Sequence, residues 1–432
     1  MPVQTSTNAD DVPERGELYR LLPDGRYAMF FDSHTIGSFQ ECEQKGVYSV
    51  LERLRRKGPD RPCISIGSWW SKVSEKFYEE AAASSAAGVV QYVPIARMAR
   101  IAIEAWVENN MDVMAYTHPK KYEEFAMPCD AALFASLLGL PGFDHAMLLT
   151  YQQRATRLRR DADEREVELN RNRYKGTDQN LIQAEIEQQL SIDRLRVEAD
   201  RLDKLNTLPV GPILMAVQYY NQYAENDFRN WRIIGAENPF GGKNEVLVGE
   251  DDKVVVYYQG RPDLIVYDKQ IDALMPLDQK TKDYIDYGID LQYKPHSQMT
   301  GYVYATQTVA RSLGWDRVVD RCIVSVCARK VRKTALKKGE TPKPRFRRVF
   351  PTFNPQEVQE WQRTIMKKAN ALRRVVKTND PIRADGFACH VYGGCDYRLI
   401  CSQPEGAHDS IKKADYVKVK PWSPLFEDED DD

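Results

Sequence analysis

GRPDLIVYDKQIDALMPLDQKTK, Gly260 to Lys282, contains two short apolar runs, each tied to an aspartate. DLIVYD begins with Asp263; LMPLDQK carries Asp278 and, two residues on, Lys280. Both are bounded by turn-forming residues and read as strands. Paired as a hairpin, they bring the two carboxylates together at one end of a sheet. Side chains alternate along a strand, so Asp278 and Lys280 point one way and Gln279 the other. Two convergent carboxylates form a hard oxygen site suited to Mg²⁺ or Mn²⁺. A lysine beside them can orient a water or stabilise charge on a phosphate oxygen. A cation between them can activate that water. This is the set that phosphodiester hydrolysis needs. The competing reading is a turn aspartate and ordinary strand-end charges, which many chains carry.

The surroundings fix the class. WRIIGAE, NEVLVG and KVVVYYQG precede the quoted stretch as further strands, and HSQMTGYVYATQTVARSLG, a helix, and IVSVCA, a strand, follow it. Before them, SFQECEQKGVYSVLERLRRK and GSWWSKVSEKFYEEAAASSA have apolar residues at helical spacing. RYAMFFD reads as a short strand. A helical front, a run of strands, a helix and another strand make an α/β or α+β protein with a mixed sheet. The 432 residues, 42% hydrophobic with seven Trp, are ample for a large core. The net charge of −2 points to no polyanion by itself. The N-terminus lacks a signal-like apolar segment and no run is apolar for a membrane span, so a cytoplasmic location without membrane is expected. FEDEDDD at the C-terminus reads as a disordered acidic tail.

Pro262-Asp263, Asp278-Gln279-Lys280 and the following Gln298 and Tyr302, spaced Q-x-x-x-Y on one helix face, together resemble the PD-(D/E)xK nuclease signature. The order and spacing are similar to the RecB-type exonuclease subfamily, which includes phage exonucleases and the nuclease modules of bacterial helicase–nuclease complexes. The resemblance implies a restriction-endonuclease-like core and a Mg²⁺- or Mn²⁺-dependent deoxyribonuclease, exonucleolytic, acting on DNA in phage or bacterial recombination or DNA processing. A helicase or recombination protein is a candidate partner. Asp263 and Asp278 would hold the metal. Lys280 would orient the water, and Gln298 and Tyr302 would position the DNA backbone or the helix.

Eight cysteines are present. Cys322 and Cys327, in an alternating apolar strand, read as buried core thiols. FACHVYGGCDYRLIC holds Cys389, Cys395 and Cys401, and Cys42 lies far upstream. Four thiols suit Zn²⁺ or an iron–sulfur cluster equally by composition. The resemblance favours a [4Fe-4S] cluster stapling the N-terminal helical region to the C-terminus, because some of these nucleases place one Cys before the core and three after it. The first gap of the trio is wider here than is usual.

One departure is larger. The family carries a metal-ligating His on an early helix, as G-x-x-x-H-x-x-x-E. Here GSWWSKVSE, from Gly67 to Glu75, has Ser71 in that place and keeps Glu75. Glu75 would replace the His as a metal ligand, or more water would fill the shell, or catalysis is weakened. The last case defines the alternative function, a catalytically weakened DNA- or partner-binding module of the same fold. Glu237 is an extra acidic candidate or a plain strand-end charge.

Two segments are charged. Residues 150–207 read as two antiparallel helices turning near Gly176, with an apolar stripe at Ile182, Ile186 and Leu190 continued by Leu195, Ala199 and Leu202. They form either a solvated hairpin or an arm for DNA or a partner. ARKVRKTALKKGETPKPRFRRV, 328–349, is a basic loop between strands that would attract a polyanion. The expected division is an N-terminal helical part at 1–149, the hairpin insertion at 150–207, the nuclease core at 208–380, the three-Cys motif at 381–410 and the acidic tail at 411–432.

Overall fold

The strands form where the apolar runs lie, and they sort into two larger sheets rather than one. The computed structural model describes residues 18–57, 62–86, 92–109, 145–171, 179–206, 210–237, 239–240, 246–286, 288–329, 345–384, 386–390 and 394–419. The chain opens with β1 (Tyr19–Leu21), β2 (Tyr27–Phe31) and α1 (Ser33–Glu41). Next come β3 (Leu54–Arg56), α2 (Pro62–Ala86) and α3 (Ile95–Glu108). Two long helices, α4 (His145–Arg171) and α5 (Gln179–Asn206), are followed by α6 (Val210–Asn230) and β4 (Trp231–Ala236). Then follow β5 (Val246–Glu250), β6 (Val254–Tyr258), β7 (Leu264–Asp268) and β8 (Ala273–Lys282). The last elements are α7 (Ser297–Ser312), β9 (Ile323–Ala328), β10 (Phe346–Val349), α8 (Pro355–Thr378), α9 (Glu405–Asp415) and β11 (Tyr416–Lys418).

The central sheet has the order β10-β9-β8-β7-β4. β7 and β8 pair antiparallel with Leu264 opposite Leu277, so the next step outward sets Asp263 beside Asp278. β9 lies parallel to β8, reached through α7, and Lys280 is level with Val326. A parallel neighbour requires such a crossover. One face of this sheet buries Leu264, Val266, Met275 and Leu277 against Trp70, Phe77 and Tyr219 of α2 and α6. The other buries Leu274, Val324 and Val326 against Met299 and Val303 of α7. With both faces covered, β9 is buried at every position.

The second sheet, β1-β2-β6-β5, departs from the expected meander. β2 pairs parallel with β6, more than two hundred residues away in sequence. Its apolar face packs on α8 through Trp361, Ile365, Ala369 and Leu372. α8 starts with a capping box: the Asn354 side chain accepts from the Glu357 N–H at 2.9 Å and Glu357 accepts from the Asn354 N–H at 2.8 Å. Pro355 occupies the first helical turn, where its missing N–H costs nothing.

Three sequence expectations are corrected. The single helix over 38–57 breaks at Cys42, whose backbone is extended (φ −168°, ψ 124°), then continues as a short helix, a π-turn at Val47–Leu51 and β3. Only part of the apolar stripe of α5 lies at its seam: Ala199 is buried, while Ile186 and Leu190 are 48% and 50% exposed. α4 and α5 close on Ala155, Ala162, Ile192 and Ala199, while Arg196 reaches Glu166 at 2.6 Å. Residues 411–418 are not tail. They finish α9 and form β11, which pairs with β3. The acidic residues beyond, the basic segment at 330–344, the turn at Gly176 and His118 lie outside the described residues. Among the described residues no helix is long and apolar enough to cross a membrane.

α7 approaches the second sheet closely because Gly301 has no side chain. A Cβ there would stand 2.5 Å from the Tyr258 ring, with the Trp361 ring 3.0 Å away. Gly301→Ala should therefore destabilise the protein by about 1–3 kcal/mol through overpacking. Chemical denaturation measures it, and an unchanged midpoint would contradict the contact.

Candidate active site

The hairpin register and the period-two alternation of β8 assemble five of the expected residues. Asp278 is buried at 4% exposure, and its Oδ2 lies 2.5 Å from the Lys280 ammonium. Asp263 accepts a short hydrogen bond from the Gln279 backbone N–H. From α7, Gln298 Nε2 makes a long contact of 3.5 Å with Asp278 Oδ1 and donates to Tyr302 Oη at 3.1 Å. Tyr302 Oη donates in turn to the Arg261 carbonyl at 3.1 Å. The Q-x-x-x-Y face thus ties the end of β8 to the GRPD turn. Gly260 admits the Tyr302 ring at the distance where a Cβ would meet it at 3.0 Å.

Two candidates stand differently. Glu237, just past β4, is held at a positive φ of 47° by its N–H bond of 3.0 Å to the Asp263 carbonyl. Non-glycine residues adopt that backbone at a cost and cluster at functional sites. Its carboxylate meets Arg261 at 2.8 Å and lies within reach of Asp263. Glu75, on α2, is engaged by Lys72 at 3.1 Å, and it and Glu237 feel each other's charge. Arg261 and His296 were not singled out by the sequence, although both sit inside the quoted motifs. His296 has a buried Nδ1 without a hydrogen-bond partner among the described residues.

The electrostatics follow from burial. Burial, then the Asp278 and Glu237 charges, push the Asp263 carboxyl well above the usual carboxylate range. Burial raises Glu237 to about 7, against the opposing pull of Arg261. Burial alone would lower Lys280, but Asp278 and Asp263 hold it above its ordinary value, so it stays an ammonium. Burial and the neighbouring Asp278 push Tyr302 up, keeping it a neutral donor.

A divalent cation fits this set. Asp278 Oδ2 is buried and is engaged by the Lys280 ammonium at 2.5 Å, with no other hydrogen-bond partner among the described residues. It is an oxygen with a lone pair to give. The carboxylates are hard donors of the kind Mg²⁺ takes with several waters retained. Among the described residues no group of three or more His, Cys, Asp or Glu side chains is close enough to hold a metal ion.

Residues 35–402 match the model of the PD-(D/E)XK nuclease superfamily. The chain belongs to that superfamily. Membership brings a mixed α/β fold of restriction-endonuclease type, metal-dependent nuclease activity and DNA as the substrate. PD-(D/E)XK nucleases typically use Mg²⁺ or Mn²⁺. No curated protein sequence matches the chain.

The cysteines flank the hairpin in sequence, Cys42 before it and Cys389, Cys395 and Cys401 after it. Cys42, Cys389, Cys395 and Cys401 are all free and half-buried. Cys401 senses the charges of the other three, and Cys395 those of Cys389 and Cys42. The Ala384 N–H donates to Cys42 Sγ at 3.4 Å, joining α1 to the C-terminal segment. A zinc ion would need four sulfurs within about 2.3 Å of one point. No three of them converge so closely. Cys322 and Cys327 are core thiols at 1% exposure.

The buried carboxylates give a stability test. Glu237 has a folded pKa above its ordinary 4.5, so the stability it contributes is full below 4.5 and lost as pH rises through about 7. Asp263 shifts the same way. Melting of the metal-free protein should fall between about pH 5 and about pH 8, and Glu237→Gln should flatten the fall. Mg²⁺ at about 100 times its Kd should restore about 2.7 kcal/mol at the alkaline end. A melting temperature indifferent to pH and Mg²⁺ would contradict the cluster.

Proposed function

We propose that the protein is a RecB-type DNA exonuclease in which Asp263 and Asp278 hold Mg²⁺ or Mn²⁺ and Lys280 serves the chemistry. The observation that carries this reading is the buried Asp278 Oδ2, paired with the Lys280 ammonium at 2.5 Å and with no other hydrogen-bond partner among the described residues, facing Asp263 across one hairpin. When bound, the cation neutralises charge on the scissile phosphate and makes its water more acidic. Lys280, kept cationic by two carboxylates, orients that water and offsets the charge developing on phosphate oxygen. Gln298 holds Asp278 in place and Tyr302 anchors the helix to the GRPD turn. Glu237 and Glu75 form an outer acidic rim, Glu237 standing closest to Asp263. With Ser71 in the place of a histidine, that rim replaces an imidazole.

The exonucleolytic mode, and a role in recombination or DNA processing beside a helicase or recombination protein, rest on the resemblance of the D…D-x-K and Q-x-x-x-Y set. We assign α4 and α5 as an insertion between the N-terminal helices and the nuclease core. The four cysteines we assign to a [4Fe-4S] cluster. The support is that Cys401 lies close enough to Cys42, Cys389 and Cys395 to sense their charges. It would reinforce a joint already made by β3–β11 pairing, a Lys412–Glu52 ion pair of 2.6 Å and a small core of Tyr48, Tyr397 and Tyr416.

Linear end-labelled DNA, single- and double-stranded, tests the activity. Lys280→Ala should cut about 10²–10³-fold more slowly than wild type in Mg²⁺ or Mn²⁺. Digestion should release short products from ends and spare closed circles. Equal rates for variant and wild type would remove Lys280 from the chemistry. DNA binding without cutting by either would favour the weakened binding module. Anaerobically purified protein should be brown, with iron and sulfide in equal amounts; a colourless protein containing zinc would overturn the cluster.

A further inference from the structure

Gln279 is the middle residue of the D-x-K triplet, and its side chain points away from the candidate metal. It is 5% exposed and surrounded by polar partners inside an apolar core. Its Oε1 accepts from Trp70 Nε1 at 3.3 Å. Its Nε2 donates to Ser74 Oγ at 2.8 Å and reaches Tyr219 Oη at 3.4 Å. Tyr219 is fixed in turn by Arg348 at 2.9 Å, and Arg348 grips the fully buried Asp227 through contacts of 2.5 and 2.7 Å. Tyr78 closes the network, donating to Asp227 at 2.6 Å. The Arg348 guanidinium also lies 3.8 Å from the Tyr223 ring centroid.

Burying such a network is expensive, since an apolar side chain of Gln279's size would fill the space without desolvation. What a satisfied buried network does supply is a single geometry. Here two geometries are set at once. The same residue's backbone N–H holds Asp263. The peptide between Asp278 and Gln279 therefore cannot rotate without breaking either the side-chain clasp or the Asp263 bond. The clasp also sets the rotation of α2 on β8. Gly67, Trp70 and Ser74 lie on one helix face, with Gly67 against Thr281 and the other two on Gln279. Ser71 and Glu75 each follow by one residue, about 100° around the helix. Glu75's approach to the acidic rim is thus governed by the grip on Gln279.

We propose that Gln279 is a positioning residue: clasped by Trp70, Ser74 and Tyr219, it fixes the peptide that presents Asp278 and restrains Asp263, and it sets the helix that carries Glu75. The proposal rests on the metal-site reading given under Proposed function. A chain with serine at position 71 depends on this positioning, because the remaining oxygen ligands must be correctly placed without an imidazole.

The test is Mn²⁺ binding by electron paramagnetic resonance in the absence of DNA, beside melting temperature and cleavage kinetics. Gln279→Met keeps the volume and removes all three side-chain bonds. It should weaken Mn²⁺ about 10–100-fold, as loss of an outer-shell partner does. The metal concentration for half-maximal cleavage should rise in step, with the KM for DNA unchanged. Ser74→Ala, a milder change, should move the same readouts less and serves if Gln279→Met does not fold. Val246→Ala, in the core of the second sheet, supplies a variant of lowered melting temperature whose Mn²⁺ affinity should not move. Gln279→Met and Ser74→Ala that bind Mn²⁺ like Val246→Ala would overturn the proposal and leave Gln279 merely structural. Asp278→Asn separates the two levels: if it keeps wild-type Mn²⁺ affinity, the metal-site reading itself fails, and the role of Gln279 falls with it.

Discussion

Two aspartates placed side by side at the end of a buried hairpin repel each other, and much of the surrounding structure answers that repulsion. In a medium less polar than water the cost of two adjacent negative charges is severe. Lys280 offsets it on the same strand face, the Gln279 N–H offsets it on Asp263, and Gln298 approaches Asp278 from α7. The remaining deficit shows in the raised pKa of Asp263 and of Glu237 behind it. A site under this strain favours a divalent cation, which satisfies every carboxylate at once. The restriction-endonuclease-like fold supplies rigidity on both sides, α2 and α6 on one face of the central sheet and α7 on the other.

A second constraint closes the chain on itself. The extended backbone at Cys42 ends the N-terminal helix early, and the π-turn at Val47–Leu51 leads into β3, which meets β11 from the far end of the sequence. Glu43 pairs with Arg374, Tyr397 donates to the Leu54 carbonyl at 2.7 Å, and the cysteines gather beside that seam. The ends of the nuclease are thereby joined around the second sheet, whose strands β2 and β6 also come from distant segments.

Much of the site was legible in one stretch of sequence. β7 and β8 are joined by a short turn, so their register follows from local rules, and period-two alternation sorted Asp278 and Lys280 from Gln279. The strands from Trp231 to Ala328 announced themselves through apolar runs. Less was legible where partners are distant. Nothing local in RYAMFFD says that it pairs parallel with Val254–Tyr258 in a separate sheet. The α5 stripe misled in its first part, because small residues such as Ala199, not the larger Ile186 and Leu190, are the buried ones. The clasp on Gln279 draws Trp70, Ser74 and Tyr219 from two helices, and Arg348 from another strand, so no spacing reveals it. The capping box at Asn354 could have been read, since Asn-Pro-x-Glu before a helical pattern is a recognised start.

The central claim is that Asp263 and Asp278 share one divalent cation at the end of the hairpin. A crystal of the protein soaked in Mn²⁺, measured at the manganese absorption edge, tests it most directly. The account predicts an anomalous peak at the Asp263 and Asp278 carboxylates, beside Lys280. Manganese bound elsewhere, with these two carboxylates still facing Lys280 alone, would contradict it.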